Sequence, residues 1–252
     1  MIEMTSGRLC ILDSESTGFE WKEGHRLLEI GIVEYFNRKP TGKIYHRYFD
    51  PQRDVPEEAY AVHGISRDDA IRLGGGKTFQ DILPSLRSFL KGDGSLPGPT
   101  TVVAHNASFD IGFLNWEMNT FGASSIEQMG IGVIDSLSLA RAKHPGKRNN
   151  LDALVSRYLP NCDIDRELHG ALKDAMLLSM VFMEMTVQQN TLQVEESYAA
   201  IGPILTPERV SLQRGALRVA SVSKADRERH EASCARIAKK AGNEAVALTL
   251  EF

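Results

Sequence analysis

An apolar stretch near the start of the chain ends in two carboxylates one residue apart, Asp13 and Glu15. Because side chains alternate along a strand, a strand through this stretch would place both carboxylates on the same face. Like charges on a buried face repel each other and are costly to desolvate unless a cation lies between them. A divalent metal ion would resolve that cost, whereas two acids at a solvated strand end would need no partner.

Two further acids stand in predicted helices: Asp110 lies at the start of the helix after the fourth strand, and Asp174 lies in the last helix of the domain. Four converging carboxylates could hold two divalent cations, of which one activates water and the other stabilises the leaving oxygen in phosphodiester hydrolysis. Oxygen ligands favour Mg²⁺ and also accept Mn²⁺. We therefore expect a site with two such ions.

His169 lies five residues before Asp174. Its ordinary pKa of roughly 6.5 suits the removal of a proton from an attacking water near neutral pH. Gly170 allows a loop conformation that could aim the imidazole at the metals. The alternative is that His169 is a polar surface residue or a helix cap.

The elements that would position these residues follow a mixed pattern. Short connections join the first three predicted strands and favour an antiparallel meander, with Asp13 at the loop side of the first strand. Later strands alternate with helices, which favours parallel pairing. The predicted strands are 8–13, 28–35, 43–49, 101–104 and 132–134, and the predicted helices lie within 51–67, 78–90, 105–121, 136–143, 151–158 and 170–185. The sequence therefore predicts an α/β fold, a ribonuclease-H-like mixed five-stranded sheet flanked by helices.

The domain prediction is a globular domain over 1–187, a flexible linker over 188–207 and a small C-terminal module over 208–252 that cannot build much core alone.

The chain has no apolar run of 18 residues and no signal-like start, so we expect a cytoplasmic protein without membrane contact. Its net charge of -4 argues against binding nucleic acid through overall charge, but not against a nuclease whose acidic site carries cations. The three cysteines lie too far apart for a zinc site.

Three motifs resemble those of the histidine-bearing DEDD family of 3'-to-5' exonucleases. They are Asp13-x-Glu15-x-Thr17-Gly18, His105-Asn106-Ala107-x-Phe109-Asp110 and His169-Gly170-Ala171-x-x-Asp174. The resemblance implies that Asp13, Glu15, Asp110 and Asp174 hold the metals and act in catalysis with His169 as general base. It also implies that the terminal nucleotide is positioned by Ser16, Thr17, Gly18, His63, Asn106 and Phe109. Ser14 and Ser16 stand where the family usually has threonines, which could alter contacts to the terminal sugar.

Within that family, the segments 29–31, 62–65, 145–154 and parts of 184–242 resemble the proofreading (epsilon) subunits of bacterial DNA polymerase III. This implies a proofreading enzyme that releases nucleoside monophosphates from a mispaired, single-stranded or frayed DNA 3' end. It also implies binding to the polymerase (alpha) subunit through 208–252 and to a small theta-like subunit. The stretch from Gln189 to Val194 falls where such subunits carry a sliding-clamp motif. Val194 replaces the usual aromatic, so a weak clamp contact and a plain linker both stay open.

Further alternatives remain open from the sequence. The chain could be a stand-alone exonuclease that trims RNA or DNA 3' ends, or a catalytically idle adaptor with a nuclease fold. Asp135 could be a metal ligand by its place at a strand end, although a cap for the following helix is favoured. His105 is expected to support its loop and not to react.

Overall fold

The computed structural model describes residues 7–160 and 169–187, together with Lys224, Arg227 and Ala232. The chain divides into two compact units, Met1–Asn190 and Thr191–Phe252, and every element given below belongs to the first. The predicted linker over 188–207, the clamp-like stretch and nearly all of the predicted module over 208–252 lie outside the described residues. Within the described part, no helix has both the length and the apolar character needed to cross a membrane.

Five strands form one mixed sheet: β1 (Arg8–Ser16), β2 (Leu27–Phe36), β3 (Lys39–Tyr48), β4 (Thr100–Ala104) and β5 (Gly132–Asp135). Their order across the sheet is β3-β2-β1-β4-β5. The first three pair antiparallel, while β4 lies parallel to β1 and β5 parallel to β4. This arrangement confirms the predicted mixed five-stranded sheet. It also makes the strand with Asp13 and Glu15 the central one.

The first strand extends further than predicted. β1 does not pass into a loop at Asp13 but continues to Ser16, with Glu15 opposite Glu29 on β2. The apolar run indeed ends at Leu12, yet the strand goes on because β2 supplies backbone partners for the polar residues as well. The two carboxylates are consequently fixed within the sheet.

The turn between β2 and β3 is also shorter than predicted. It consists of Asn37 and Arg38, whose φ angles are 47° and 68°, as expected for a two-residue hairpin turn. Pro40 and Gly42, which signal a turn in the sequence, lie inside β3. An edge strand tolerates both residues, because one side of its backbone has no strand partner.

Seven α-helices lie within the described residues. They are α1 (Glu57–His63), α2 (Arg67–Gly74), α3 (Phe79–Lys91), α4 (Ala107–Thr120), α5 (Ser136–Lys143), α6 (Leu151–Tyr158) and α7 (Ala171–Met185). Of these, α2 was not predicted. It buries little apolar surface, with Ala70 as its buried residue, but Ser66 and Asp69 form a capping box at its start. That capping box was the available sequence signal.

The helices cover both faces of the sheet. Cys10 and Leu12 of β1 belong to a core cluster with α3 and α4, whereas Leu9 and Ile11 belong to a second cluster with α6 and α7. Continued alternation therefore directs Asp13 and Glu15 toward the α7 side. The spacing of apolar residues in α7 predicts that Met176 points inward together with Leu172 and Leu177, but this is wrong for Met176, whose side chain is exposed while Leu177 and Leu178 are buried.

Gly31 of β2 lets α7 approach the sheet closely. A Cβ atom on this residue would lie 2.4 Å from the Cα and backbone nitrogen of Leu172. Gly31 pairs with Asp13 across the strands, so the first turn of α7 rests beside the carboxylates of β1. Glu29, two residues earlier, accepts a hydrogen bond at 3.1 Å from the backbone N–H of Ala171.

Replacing Gly31 by alanine should lower the free energy of unfolding by about 1–3 kcal/mol, because the new methyl group meets backbone atoms that cannot rotate away. Urea denaturation followed by circular dichroism would measure this loss. The matched control is Gly132→Ala, whose Cβ would meet only the Thr101 side chain, at 3.2 Å. Equal losses in the two variants would contradict the proposed backbone contact.

Candidate active site

Three carboxylates from two elements converge near the C-terminal end of the central strand, β1. Asp13 and Glu15 come from β1, and Asp174 comes from the first turn of α7. One side-chain oxygen of each residue lies within 4.8 Å of one from each of the others. The burial of Glu15 and Asp174 removes these groups from water. The sequence-predicted neighbours are therefore brought together, as a metal site requires.

Asp110 approaches this trio from a third element. It lies in the first turn of α4 and is buried, and the hydroxyl of Ser14 donates to its Oδ1 at 2.6 Å. It is not part of the 4.8 Å trio, but its charge raises the pKa of Asp13. The fourth predicted carboxylate thus faces the same region.

His169 contacts the trio directly. Its Nδ1 lies 2.7 Å from Oδ2 of Asp174, and its side chain is 41% exposed. Its backbone N–H donates to the carbonyl of Val62, just before His63 at the end of α1. His169 is thus held between α7 and α1 with part of its ring open to solvent.

Burial raises the pKa values of Asp13, Glu15 and Asp110 in the absence of metal, and neighbouring carboxylates add to the rise at Asp13 and Glu15. The pKa of Glu15 rises to about 9, first through burial and then through Glu29, Asp174 and Asp110. Burial raises the pKa of Asp110 to about 7. The pKa of Asp13 lies well above its usual range, through burial and then the neighbouring carboxylates. Among the described residues, neither Asp13, Glu15 nor Asp110 pairs with a lysine or arginine.

A cavity of about 320 Å³ opens beside Glu15. Of the residues predicted to position a nucleotide, Ser16, Thr17, Gly18, His63 and Phe109 line it. The hydroxyl of Thr17 is buried in the wall, where it accepts from the backbone N–H of Arg26 at 3.0 Å.

His63 forms part of the cavity wall in a buried position. Its Nδ1 accepts from the backbone N–H of Ile65 at 3.1 Å, so a neutral ring carries its proton on Nε2. Burial lowers its pKa, an effect that the nearby Ser16 backbone opposes. Among the described residues, the buried Nε2 has no hydrogen bond of good geometry.

Asn106 does not line the cavity. It is exposed, it adopts a left-handed backbone conformation (φ 65°, ψ 54°), and it immediately precedes α4. Its backbone N–H donates to Oδ1 of Asp135 at 3.0 Å. The structure therefore places Asn106 at the turn that starts the Asp110 helix.

Asp135 caps α5, as the favoured interpretation of the sequence held. Its Oδ1 accepts from the backbone N–H of Leu137 at 3.0 Å and its Oδ2 from the hydroxyl of Ser138 at 2.6 Å. Burial opposes ionisation, but these bonds and those from Asn106 and Ala107 lower the pKa overall. The predicted support of its loop by His105 agrees with the 3.0 Å contact between its Nδ1 and the Ser136 hydroxyl.

Comparison with known proteins connects this geometry to a family. A family model for exonucleases, RNase_T, matches residues 10–182. The DNA polymerase III subunit epsilon of Rickettsia conorii is 35% identical over 240 residues, which cover 94% of this chain and 100% of that protein. The same subunit of Escherichia coli is 35% identical over 252 residues, with 94% and 96% covered. The chain belongs to the DNA polymerase III epsilon family of exonucleases.

Solved structures share the epsilon-family fold. Exonuclease X in complex with 5' overhanging duplex DNA superposes with a TM-score of 0.51 at 23% identity, covering 70% of this chain and 90% of that chain. The nuclease domain of 3'hExo, a DEDDh family member bound to rAMP, gives a TM-score of 0.59 at 17% identity, with 71% and 92% covered. These likenesses establish the fold and confirm the ribonuclease-H-like prediction.

Two features of this epsilon-family site were missed from the sequence. Phe19, at the mouth of the cavity, is 79% exposed, and its position directly after Gly18 was the available signal. Glu29 is buried opposite Glu15, and its Oε1 lies 2.7 Å from Nε2 of His46. Only the strand register, which pairs Glu29 with Glu15, reveals that Glu29 is a fifth carboxylate next to the trio.

The raised pKa values predict the pH dependence of stability without metal. Folded Glu15 and Asp110 keep protons that the unfolded chain releases above its ordinary carboxyl pKa of roughly 4. Because the folded state then binds more protons, stability should fall as pH rises from about 5 to about 9. Urea denaturation in EDTA at several pH values would measure this slope, and added Mg²⁺ should restore stability at the alkaline end. The variant Glu15→Gln should reduce the slope; an unchanged slope would contradict the assignment.

Proposed function

We propose that this epsilon-family exonuclease removes mispaired nucleotides from DNA 3' ends for DNA polymerase III. In this proposal Asp13, Glu15, Asp110 and Asp174 hold two divalent cations, and His169 is the general base. The observation that carries the proposal is the convergence of the carboxylate trio with His169, whose Nδ1 lies 2.7 Å from Asp174.

The carboxylates suit divalent cations in chemistry and spacing. Oxygen ligands lie about 2.0–2.1 Å from Mg²⁺, so two oxygens on opposite sides of one ion are about 4.2 Å apart. The side-chain oxygens of the trio lie within 4.8 Å of one another, so small side-chain movements would bring them onto one ion or onto two ions about 3.5–4 Å apart. Mg²⁺ is the proposed ion and Mn²⁺ the substitute, with two ions per site. When bound, the cations would activate water and offset the charge on the leaving oxygen.

The contact between His169 and Asp174 prepares the imidazole for its role. An ionised Asp174 only accepts hydrogen bonds, so Nδ1 of a neutral His169 must carry the proton. Nε2 then presents a lone pair that can take a proton from water, which is the task of a general base. A carboxylate offers several lone pairs, so Asp174 can serve His169 and a cation together.

The cavity beside Glu15 is the proposed site of the terminal nucleotide. Its volume of about 320 Å³ is at the small end of ligand pockets and suits one unpaired nucleotide. Phe109 and His63 offer ring faces to the base, while the Ser16–Gly18 turn borders the sugar. Asn106 would take part through its exposed amide. A mispaired end frays more readily than a paired one, so a site for single nucleotides selects errors.

The proposed partners follow from the relatives. The epsilon subunits of Rickettsia conorii and Escherichia coli align with 94% of this chain, which includes part of 208–252. We assign polymerase (alpha) binding to that segment. We further infer a theta-like partner and a weak clamp contact between Gln189 and Val194, and replication places all of these in the cytoplasm.

Replacing His169 by alanine should lower kcat on a mispaired primer with Mg²⁺ by about 10²- to 10⁴-fold, because the attacking water loses its base. Polymerase binding should be retained. The matched control is His144→Ala, a histidine that contacts Tyr158 instead of the carboxylates. Single-stranded DNA degradation at the wild-type rate by the His169 variant would contradict the base assignment, and no activity from the unaltered chain would favour an idle adaptor.

Removing 206–252 should abolish association with the polymerase subunit and spare exonuclease activity, because the proposed catalytic residues all precede that segment. Size-exclusion chromatography of both chains with the polymerase subunit would measure association, and a primer assay would measure activity. Co-elution of the truncated chain would count against the assigned surface and would favour a contact elsewhere.

A further inference from the structure

A second groove, besides the nucleotide cavity, lies on the β5 side of the carboxylates. It has a volume of about 390 Å³ and is bordered by Arg141 of α5 and by Lys147 and Asn149 of the loop between α5 and α6. The proposed catalytic residues do not include any of these side chains. The groove is therefore a separate feature of the surface.

The segment that borders the groove is basic although the chain is acidic overall, and two of its cations, Arg141 and Lys147, line the groove. Residues 136–158 hold five lysines and arginines against Asp152 as the single acid, in a chain of net charge -4. Arg141 and Lys147 line the groove and are exposed, and Arg148, which follows Lys147 in the same loop without lining the groove, is exposed as well. Within the described residues they form no ion pair with a carboxylate, unlike Arg8 and Arg26. These three cations are thus available to an anionic ligand.

The loop that carries the cations is held in one conformation. The side-chain amide of buried Asn149 donates to the carbonyl oxygens of His144 at 3.2 Å and Lys147 at 2.9 Å. The Arg157 guanidinium donates to the carbonyl of Arg148 at 2.9 Å. A fixed loop loses less conformational entropy when it binds a ligand than a mobile one.

The sheet aligns the groove with the proposed site of chemistry. The parallel strands β1, β4 and β5 run toward the same end of the sheet. β1 pairs with β4 as far as Ile11, two residues before Asp13, and β5 ends at Asp135. Strands lie about 4.8 Å apart, so the start of α5 is roughly 10 Å from Asp13. The groove therefore lies on the β5 side of the carboxylates, whereas the cavity is lined by the end of β1, the segment after it and α1.

We propose that this groove binds backbone phosphates of the DNA strand under degradation, upstream of the bond that is cleaved. The inference rests on the proposed function and adds a second subsite to it. Arg141, Lys147 and Arg148 neutralise these phosphates, which positions the strand without reading its sequence. His105 also borders the groove: its Nδ1 contacts the hydroxyl of Ser136, and its buried Nε2 has no hydrogen bond of good geometry among the described residues.

The test compares two full-length double variants of equal charge. The first variant, Arg141→Gln with Lys147→Gln, alters the groove. The second, Lys39→Gln with Lys91→Gln, removes two exposed lysines near Arg8, at the opposite end of β1. The groove variant should raise the KM for a single-stranded oligodeoxynucleotide about tenfold at moderate salt, through the loss of two phosphate contacts. The salt dependence of binding should weaken by about 1.4 in log–log slope, at about 0.7 per contact. The control variant should change neither quantity.

Binding should also be measured without catalysis, by fluorescence anisotropy of the labelled oligodeoxynucleotide in EDTA. This readout tests the groove even if the proposed activity fails, and hydrolysis of the p-nitrophenyl ester of thymidine 5'-monophosphate by the unaltered chain tests that activity separately. Unchanged affinity and salt slope in the groove variant would overturn the inference. Equal changes in both variants would overturn it in favour of overall charge, and lost polymerase binding with unchanged DNA affinity would overturn it in favour of a protein surface.

Discussion

Electrostatic repulsion among buried carboxylates is the constraint on which the rest of this structure depends. Asp13, Glu15, Asp110 and Asp174 come from three elements, and the charges of Asp110 and Asp174 add to the cost of ionising both Asp13 and Glu15. Left to themselves, such groups would move apart. The fold therefore needs contacts that do not involve the repelling charges, and it supplies them in the backbone and in neutral side chains.

The most important of these contacts is the packing of α7 on β2. Without a side chain at Gly31, the Leu172 backbone lies directly on the strand, level with Asp13. Glu29 accepts from the Ala171 N–H, a helix N-terminus being a favourable place for negative charge. His46 contacts the other oxygen of Glu29. This support fixes the start of α7 and, through it, both Asp174 and His169.

Much of this arrangement could be predicted from the sequence, because local rules determine it. Alternation along a strand places Asp13 and Glu15 on one face, and the central position of β1 follows from the order of strands and helices. What failed depended on partners distant in the chain. The polar end of β1 stays in the sheet only because β2 pairs with it, and Met176 is exposed because the phase of α7 is set by the surface beneath it. The structural role of Glu29 was not predicted for the same reason, since it depends on the register that places Glu29 opposite Glu15.

The two serines in the first motif acquire different meanings once their contacts are known. Ser14 alternates to the α4 side of β1, where its hydroxyl holds Asp110, and Ser16 donates to the carbonyl of Gly18 at 2.6 Å. Threonine could form both bonds, so serine preserves the hydrogen bonding and removes only a methyl group. At buried Ser14 the loss affects packing around Asp110. At Ser16, which borders the cavity, it leaves more room beside the nucleotide's proposed position. The departure from threonine therefore bears on how tightly the terminal sugar is held and leaves the carboxylate geometry unchanged.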